Sequence, residues 1–429
     1  MKKRALVLLA VAIMLLTPTL AGAATKLTIW NSSQTMVDFY KENVWPEFQK
    51  LHPEVTELEV LYMPIQDYVK KLAIALPSGD VPDVMEIEDS WAIPYLTAGY
   101  FEENTPELNA ILDQMYPELK NTVTFEGKSY GVPVAPFHEM MFYNLDMMKE
   151  AGIEKIPDTI DELIDAAVKM TKRDAAGMVT QSGFSMRLGG NPSGTTQKWW
   201  VLALLGNGVN LFEESKTQPG KYHAGFNNEG GYNALKLYID LLYKYQVDDF
   251  SSMKDTAAFA AGKTAINMRE PSSSTSIITN GPTINWTSGP MPIGAVQRAT
   301  FLITLNLYVP VDSANKDLAR EFIALASSRE MQSVQASLRA GYNPYVDVDP
   351  TAGLDPRLQP SFVFPEDMKV YTVPVQNAYD TIQVKIGEAL PNILQKSELL
   401  DNPEGIKAEI EALAKMVDDT YKDFDEYGE

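Results

Sequence analysis

The sequence predicts a two-lobed α/β protein, on three observations. Strand-like apolar runs alternate with helical periodicity along the chain, its 429 residues exceed what one hydrophobic core usually serves, and 45% of them are hydrophobic. Alternation of this kind implies sheets of the parallel type, because parallel neighbours need a long crossover that a helix supplies. So much apolar material argues against disorder.

The chain opens with Lys2, Lys3 and Arg4, an apolar run from Ala5 to Leu16, a break at Thr17 and Pro18, and the small residues Ala21, Gly22 and Ala23. These are the three parts of a secretory signal, with cleavage expected after residue 23. The apolar run has 12 residues, whereas a membrane-crossing helix needs about 20. No later stretch approaches that length, so a soluble mature protein is expected.

Leu27 to Trp30 reads as a strand, and Met36 to Leu51 as a helical stretch interrupted at Pro46. Leu58 to Leu61 reads as a second strand, Tyr68 to Leu76 as a helix, and Val84 to Ile87 as a third strand. Thr159 with Glu162 three residues on forms a capping box, followed by an apolar face of Ile160, Leu163, Ile164, Ala167 and Val168. The stretches 187–196 (RLGGNPSGTT) and 270–292, rich in Gly, Ser, Pro and Asn, read as loops. The second precedes a strand-like run, Phe301 to Pro310, and fits a crossing between lobes. Asn402 and Pro403 start the last helix, whose buried stripe is Ile406, Ile410, Leu413 and Val417.

Removing residues 1–23 leaves 406 residues and strips three positive charges and no negative ones, which takes the formal charge from −21 to −24. A chain that acidic repels nucleic acid and anionic lipid heads. It has no cysteine, which excludes disulfides, thiolate chemistry, Cys-ligated zinc and a lipidated amino-terminal cysteine. A free exported protein needs an enclosing compartment, which points to a periplasm. His138 and Glu139 begin HEMMF, but Phe142 replaces the second histidine that a zinc hydrolase requires. Gly262, Lys263 and Thr264 resemble the end of a P-loop, yet Ala257 stands where its first glycine belongs. There is no GxSxG elbow, and Asp347 and Asp349 lack the glycine of a calcium loop. Asn31 and Asn285 sit in glycosylation sequons, discounted beside a bacterial-type signal. Paired carboxylates remain as an enzymatic option, since a glycosidase needs only two of them about 5–10 Å apart. Glu88, Asp89 and Glu139 are candidates for such a pair.

Two segments carry a family resemblance. LPSGDVPDVMEIEDSWAIPYLTAGYFEE, residues 76–103, and GKSYGVPVAPFHEMMFYNLDMMKEAGIEKIPDTIDEL, residues 127–163, resemble the extracellular solute-binding proteins of ABC importers, the group that includes maltodextrin-binding proteins. The second segment is similar to the family's hinge strand, its Tyr-Asn pair (Tyr143, Asn144) and its Ala-Gly-Ile helix end. Phe259 to Met268 and Ala314 to Gln332 match more weakly. The resemblance implies a two-lobed, type II-like periplasmic-binding-protein fold with a hinge and an interlobe cleft. Lobe 1 would comprise 24–134 plus 299–342, and lobe 2 would comprise 135–298 plus 343–429. It implies a monomer that binds a small polar solute, a mono- or oligosaccharide, and hands it unchanged to an inner-membrane ABC permease, with no cofactor or metal.

A sugar offers hydroxyl rims and apolar C–H faces, so its site needs flat rings beside carboxylates, amides or arginine. Read against the family's contact positions, the candidates are Trp30 and Asn31 after the first strand and Glu88, Asp89 and Trp91 after the third. Phe137, His138 and Glu139 follow at the first crossing, and one of Trp199 and Trp200 at a helix start. Arg269 and Glu270, then Tyr342 and Asn343 at the last crossing, complete the set. Each has a bland reading as core, ordinary buried histidine or internal ion pair. Ser272 and Ser274 stand where maltodextrin binders carry rings, which makes a long glucan a poor fit. The carboxylates also suit a cationic or amino-containing solute.

Overall fold

The computed structural model describes residues 25–429 except 342 and 374, so the signal segment lies outside the described residues. Two mixed sheets divide the chain. The first contains β1 (Thr25–Asn31), β2 (Val55–Tyr62), β3 (Val84–Glu88) and β4 (Gly131–His138). The second contains β5 (Met140–Asn144), β6 (Val179–Ser185), β7 (Thr264–Arg269) and β8 (Trp286–Gly289). The chain then returns to the first sheet with β9 (Arg298–Tyr308) and β10 (Met368–Thr372). The strand orders are β10-β9-β3-β1-β2, with β4 also on β9, and β8-β5-β7-β6 with a two-residue strand, Lys172–Arg173, at the far edge. β1 is parallel to β2 and β3, and β6 to β7, as the alternation predicts. The sheets are not parallel throughout: β9 runs against β3 and β4, and β5 against β7 and β8.

Local chemistry accounts for the elements. Leu27 and Ile29 bury one face of β1, while β9 is buried at all 11 positions because the sheet is covered on both sides there. Pro46 does not break its helix as expected. The run 34–51 stays helical, and the lesion sits one turn earlier as a π-turn, Tyr40–Val44, where Trp45 N–H reaches back to Tyr40 O. A proline removes a backbone donor, and a π-turn absorbs the mismatch.

The helices framing the interior are α1 (Ile65–Ser78), α2 (Asp89–Thr97), α3 (Ile160–Met170), α4 (Pro192–Trp199), α5 (Ser273–Asn280), α6 (Arg329–Arg339), α7 (Tyr379–Leu394) and α8 (Pro403–Asp423). At α3, Thr159 Oγ1 accepts from Glu162 N–H at 3.2 Å, and Glu162 Oε2 accepts from Asp158 N–H at 2.8 Å rather than from the cap residue itself. Leu163, Ile164 and Ala167 are buried as expected, whereas Val168 faces solvent. Asn402 Oδ1 caps α8 through Gly405 N–H at 2.9 Å, and its four-residue stripe is buried.

Both stretches read as loops contain structure. Asn191 caps α4, and 270–292 holds α5 and strand β8. Tertiary pairing with β5 overrides the turn-rich composition of β8. The chain passes between the sheets at Glu139, at 290–297 and between the end of β10 at Thr372 and the residues before α7, 375–378. One apolar core packs around α3, α4, α7 and α8, and the other around β1, β3 and β9. No helix among the described residues is long and apolar enough to cross a membrane.

Candidate functional site

The three passages leave a cleft of about 720 Å³ between the sheets. That is ample for a small organic solute, since ligand sites run to about 300–1,000 Å³. The wall on the side of the first sheet is built by Ile65, Gln66 and Val69 of α1 and by Glu88, Asp89, Ser90 and Trp91, where β3 turns into α2. Ligand clefts outside the carboxyl ends of parallel strands are a general feature of α/β sheets. Phe137, Glu139, Phe301 and Ile303 form the floor at the crossings. The opposite wall comes from Arg187, the start of α4, Lys198, Arg269, Glu270 and the first turns of α7.

That opposite wall is held by tight backbone packing. A Cβ on Gly387 of α7 would fall 1.9 Å from Pro192 O, so only glycine lets the two helices meet, and Thr196 Oγ1 donates to Gln383 O at 2.6 Å.

Its cations are matched. Lys198 ion-pairs with Glu139, with 5% and 2% of the two side chains exposed. Arg269 donates to Asp255 at 2.7 Å and to Glu270 at 2.6 Å, and Arg187 lies 3.5 Å from Asp255. Burial pulls the Lys198 ammonium below its ordinary value against the pull of Glu139. Burial works to raise Glu270, but Lys198 and Arg269 overcome it and hold the carboxyl below its usual range.

The first-sheet wall is different. Asp89 is buried and accepts from Ser90 N–H at 2.8 Å and Thr304 N–H at 3.1 Å; burial, then Glu88 beside it, push its carboxyl well up. Glu88 stays partly open to the cleft and takes one hydrogen bond from Ser90 Oγ at 3.2 Å. Burial raises it from 4.5 to about 7, with Asp380 and Glu270 adding to the push. Asp380, exposed at the start of α7, is raised by partial burial.

Of the residues picked from the sequence, Glu88, Asp89, Trp91, Phe137, Glu139, Arg269 and Glu270 line this cleft. The others require correction. Trp30 packs on the core around β1, β3 and β9 with the Lys71 ammonium 4.2 Å from its ring centre, and Asn31 is fully buried, its Oδ1 accepting from Ser33 N–H at 2.8 Å. His138 is a buried core histidine, with Nε2 3.0 Å from Ser361 O and the rings of Phe362 and Phe364 edge-on to it. Burial drops it to about 4, so it is neutral at physiological pH.

Neither Trp199 nor Trp200 faces the cleft. Both are fully buried, because α4 runs straight into a π-turn, Trp200–Leu204, that is buried all round. Trp199 Nε1 donates to Ala234 O at 3.3 Å and Trp200 Nε1 to Asn210 Oδ1 at 2.9 Å. Asn343 is not at a crossing: its amide donates to Arg329 O and Ser333 Oγ, and Tyr345, two residues on, bridges to Met115 of the first lobe. Tyr342 lies outside the described residues.

Sequence reading missed Ile65, Val69, Arg187, Lys198, Phe301, Tyr379 and Asp380. One signal was available: Asn191-Pro192 is the same cap-and-proline start that revealed α8.

Residues 33–333 match the family model of the bacterial extracellular solute-binding proteins. The chain belongs to this family. A binding protein of Brucella abortus (strain 2308) is 25% identical over 293 residues, 65% of this chain and 66%, just under two-thirds, of the relative. The arabinooligosaccharide-binding protein of Bacillus subtilis (strain 168) is 26% identical over 380 residues, 80% of each chain. Among solved structures, an ABC transporter solute-binding protein from Thermotoga lettingae bound with α-D-tagatose superposes with a TM-score of 0.73 at 25% identity, covering 92% of this chain and 100% of that one. The two-lobed solute-binding fold expected from the resemblance is therefore the fold of this protein.

Proposed function

We propose that the protein captures a neutral carbohydrate, a mono- or oligosaccharide, in this cleft by closure of the two lobes, and delivers it unaltered to an ABC-type permease. One observation carries the reading: the cations of the second-lobe wall are each already matched by a carboxylate, beside the partly exposed rings of Trp91 and Phe137. Matched charges present donors and acceptors to hydroxyls without demanding a net charge from the ligand, and rings take up C–H faces. Relatives named for arabinooligosaccharides and a neighbour holding tagatose support the same class.

Two of the three carboxylates considered for glycoside hydrolysis are committed elsewhere, Glu139 to Lys198 and Asp89 to Thr304, and Glu88 alone of the three remains open to the cleft, which disfavours an enzyme that needs a pair. Export with release from the signal, residence in a periplasm and a monomeric state complete the proposal. A carbohydrate panel followed by calorimetry tests it: at least one neutral sugar raises the melting temperature of the mature chain and binds, and Trp91→Ala abolishes both effects. Stabilisation by polyamines with none by any sugar, or release of a cleaved product, would refute it.

A further inference from the structure

Two carboxylates belong to the first-lobe wall, Glu88 and Asp89, and among the described residues that wall contributes no cation to the cleft lining. Asp89 is consumed by Thr304 and Ser90, but among the described residues Glu88 takes a side-chain hydrogen bond only from the Ser90 hydroxyl, and it faces the open cleft. Across the gap stand Asp380 and Tyr379 at the start of α7 and Glu270 at the end of β7. On its own lobe the cation within electrostatic reach is Arg339 of α6, which Glu88 shares with the buried Glu86. The cations of the second lobe offer no relief, because Arg187, Lys198 and Arg269 are held by Asp255, Glu139 and Glu270. Strand β9 presents Leu305 opposite Glu88, which is uncharged.

We propose that Glu88 is a proton-controlled spacer between the lobes: ionised, it opposes Asp380, and less strongly Glu270, across the cleft and favours the open form; protonated, it permits closure. Like charges on opposite jaws of a hinge disfavour the closed arrangement, and a proton on either removes the repulsion. The proposal rests on the two-lobed binding reading and adds to it that closure is coupled to proton uptake. The titration midpoint that burial gives Glu88, about 7, puts the transition in an accessible range.

Small-angle scattering of the mature chain without any sugar, at pH 5.5, 7 and 8.5 in constant salt, tests this independently of ligand identity. The expected result is a radius of gyration that falls as pH is lowered, with a midpoint near 7. Glu88→Gln removes the dependence and leaves the chain compact throughout, Asp380→Asn moves the midpoint down, and the exposed, remote Glu42→Gln leaves the wild-type curve unchanged. Circular dichroism verifies that each variant is folded. A wild-type radius that ignores pH, or a Glu88→Gln variant with the wild-type curve, overturns the proposal. Failure of the sugar panel with this pH response intact would sink the carbohydrate reading alone.

Discussion

The Lys198–Glu139 pair offers the sharpest energetic test of the cleft. Its members come from different places, α4 and the first crossing, and both are almost wholly excluded from water. Removing one partner strands a buried charge, which costs about 3–5 kcal/mol, whereas replacing both with shape-matched neutral groups is often near neutral. Lys198→Met is therefore expected to lose about 3–5 kcal/mol in guanidinium unfolding, and Lys198→Met with Glu139→Gln to recover to within about 1 kcal/mol of wild type. Glu139→Gln alone leaves the ammonium stranded. Its pKa, already pulled below normal by burial, falls further, so the unfolded state binds more protons and the penalty shrinks as pH rises toward the ordinary lysine value of 10.5. Single variants costing under about 1 kcal/mol, or a double variant costing the sum of the singles, would refute the claim that the pair is desolvated and coupled.

Other consequences separate core from cleft. Trp200→Ala is expected to cost about 3–5 kcal/mol in urea unfolding, because its ring sits 4.6 Å from that of Phe301 in a filled core. Trp91→Ala is expected to cost under about 1 kcal/mol of stability while eliminating sugar binding by calorimetry, since its ring borders the cleft. Gly387→Ala drives a Cβ into Pro192 O and should cost about 1–3 kcal/mol, with sugar affinity falling as α4 and α7 separate. Glu88 has a folded pKa raised from 4.5 to about 7, so its favourable contribution is complete below 4.5 and is lost as pH climbs through 7. At pH 8.5 Glu88→Gln should therefore unfold at a higher temperature than wild type, by the equivalent of about 1–3 kcal/mol after allowing for its partial exposure, and at pH 4.5 the difference should vanish.

Periodicity and caps revealed the parts whose fate is decided locally. β1 and β3 alternate or fill a buried strand, and the Thr159 and Asn402 caps fix helix starts through bonds spanning three residues, so neighbours in sequence sufficed. The same local reasoning failed where a distant partner decides. The segment 286–289 is turn-rich in composition and becomes a strand because β5 lies alongside it. Trp199 and Trp200 stand at a helix start near the cleft, but the side they turn toward is set by Ala234, Asn210 and Phe301.

The cleft follows the same division. Its first-lobe wall could be found because β3 runs directly into α2, so Glu88, Asp89 and Trp91 fall within four residues of each other at a strand end. The second-lobe wall could not, because it is assembled from 187–198, 269–272 and 379–384, segments that meet only when α7 packs on α4. Asp380 shows the limit most clearly. Nothing near it in sequence marks it as functional, and its effect on Glu88 exists only because the chain's last third crosses back over the cleft, turning two ordinary carboxylates into opposing ones.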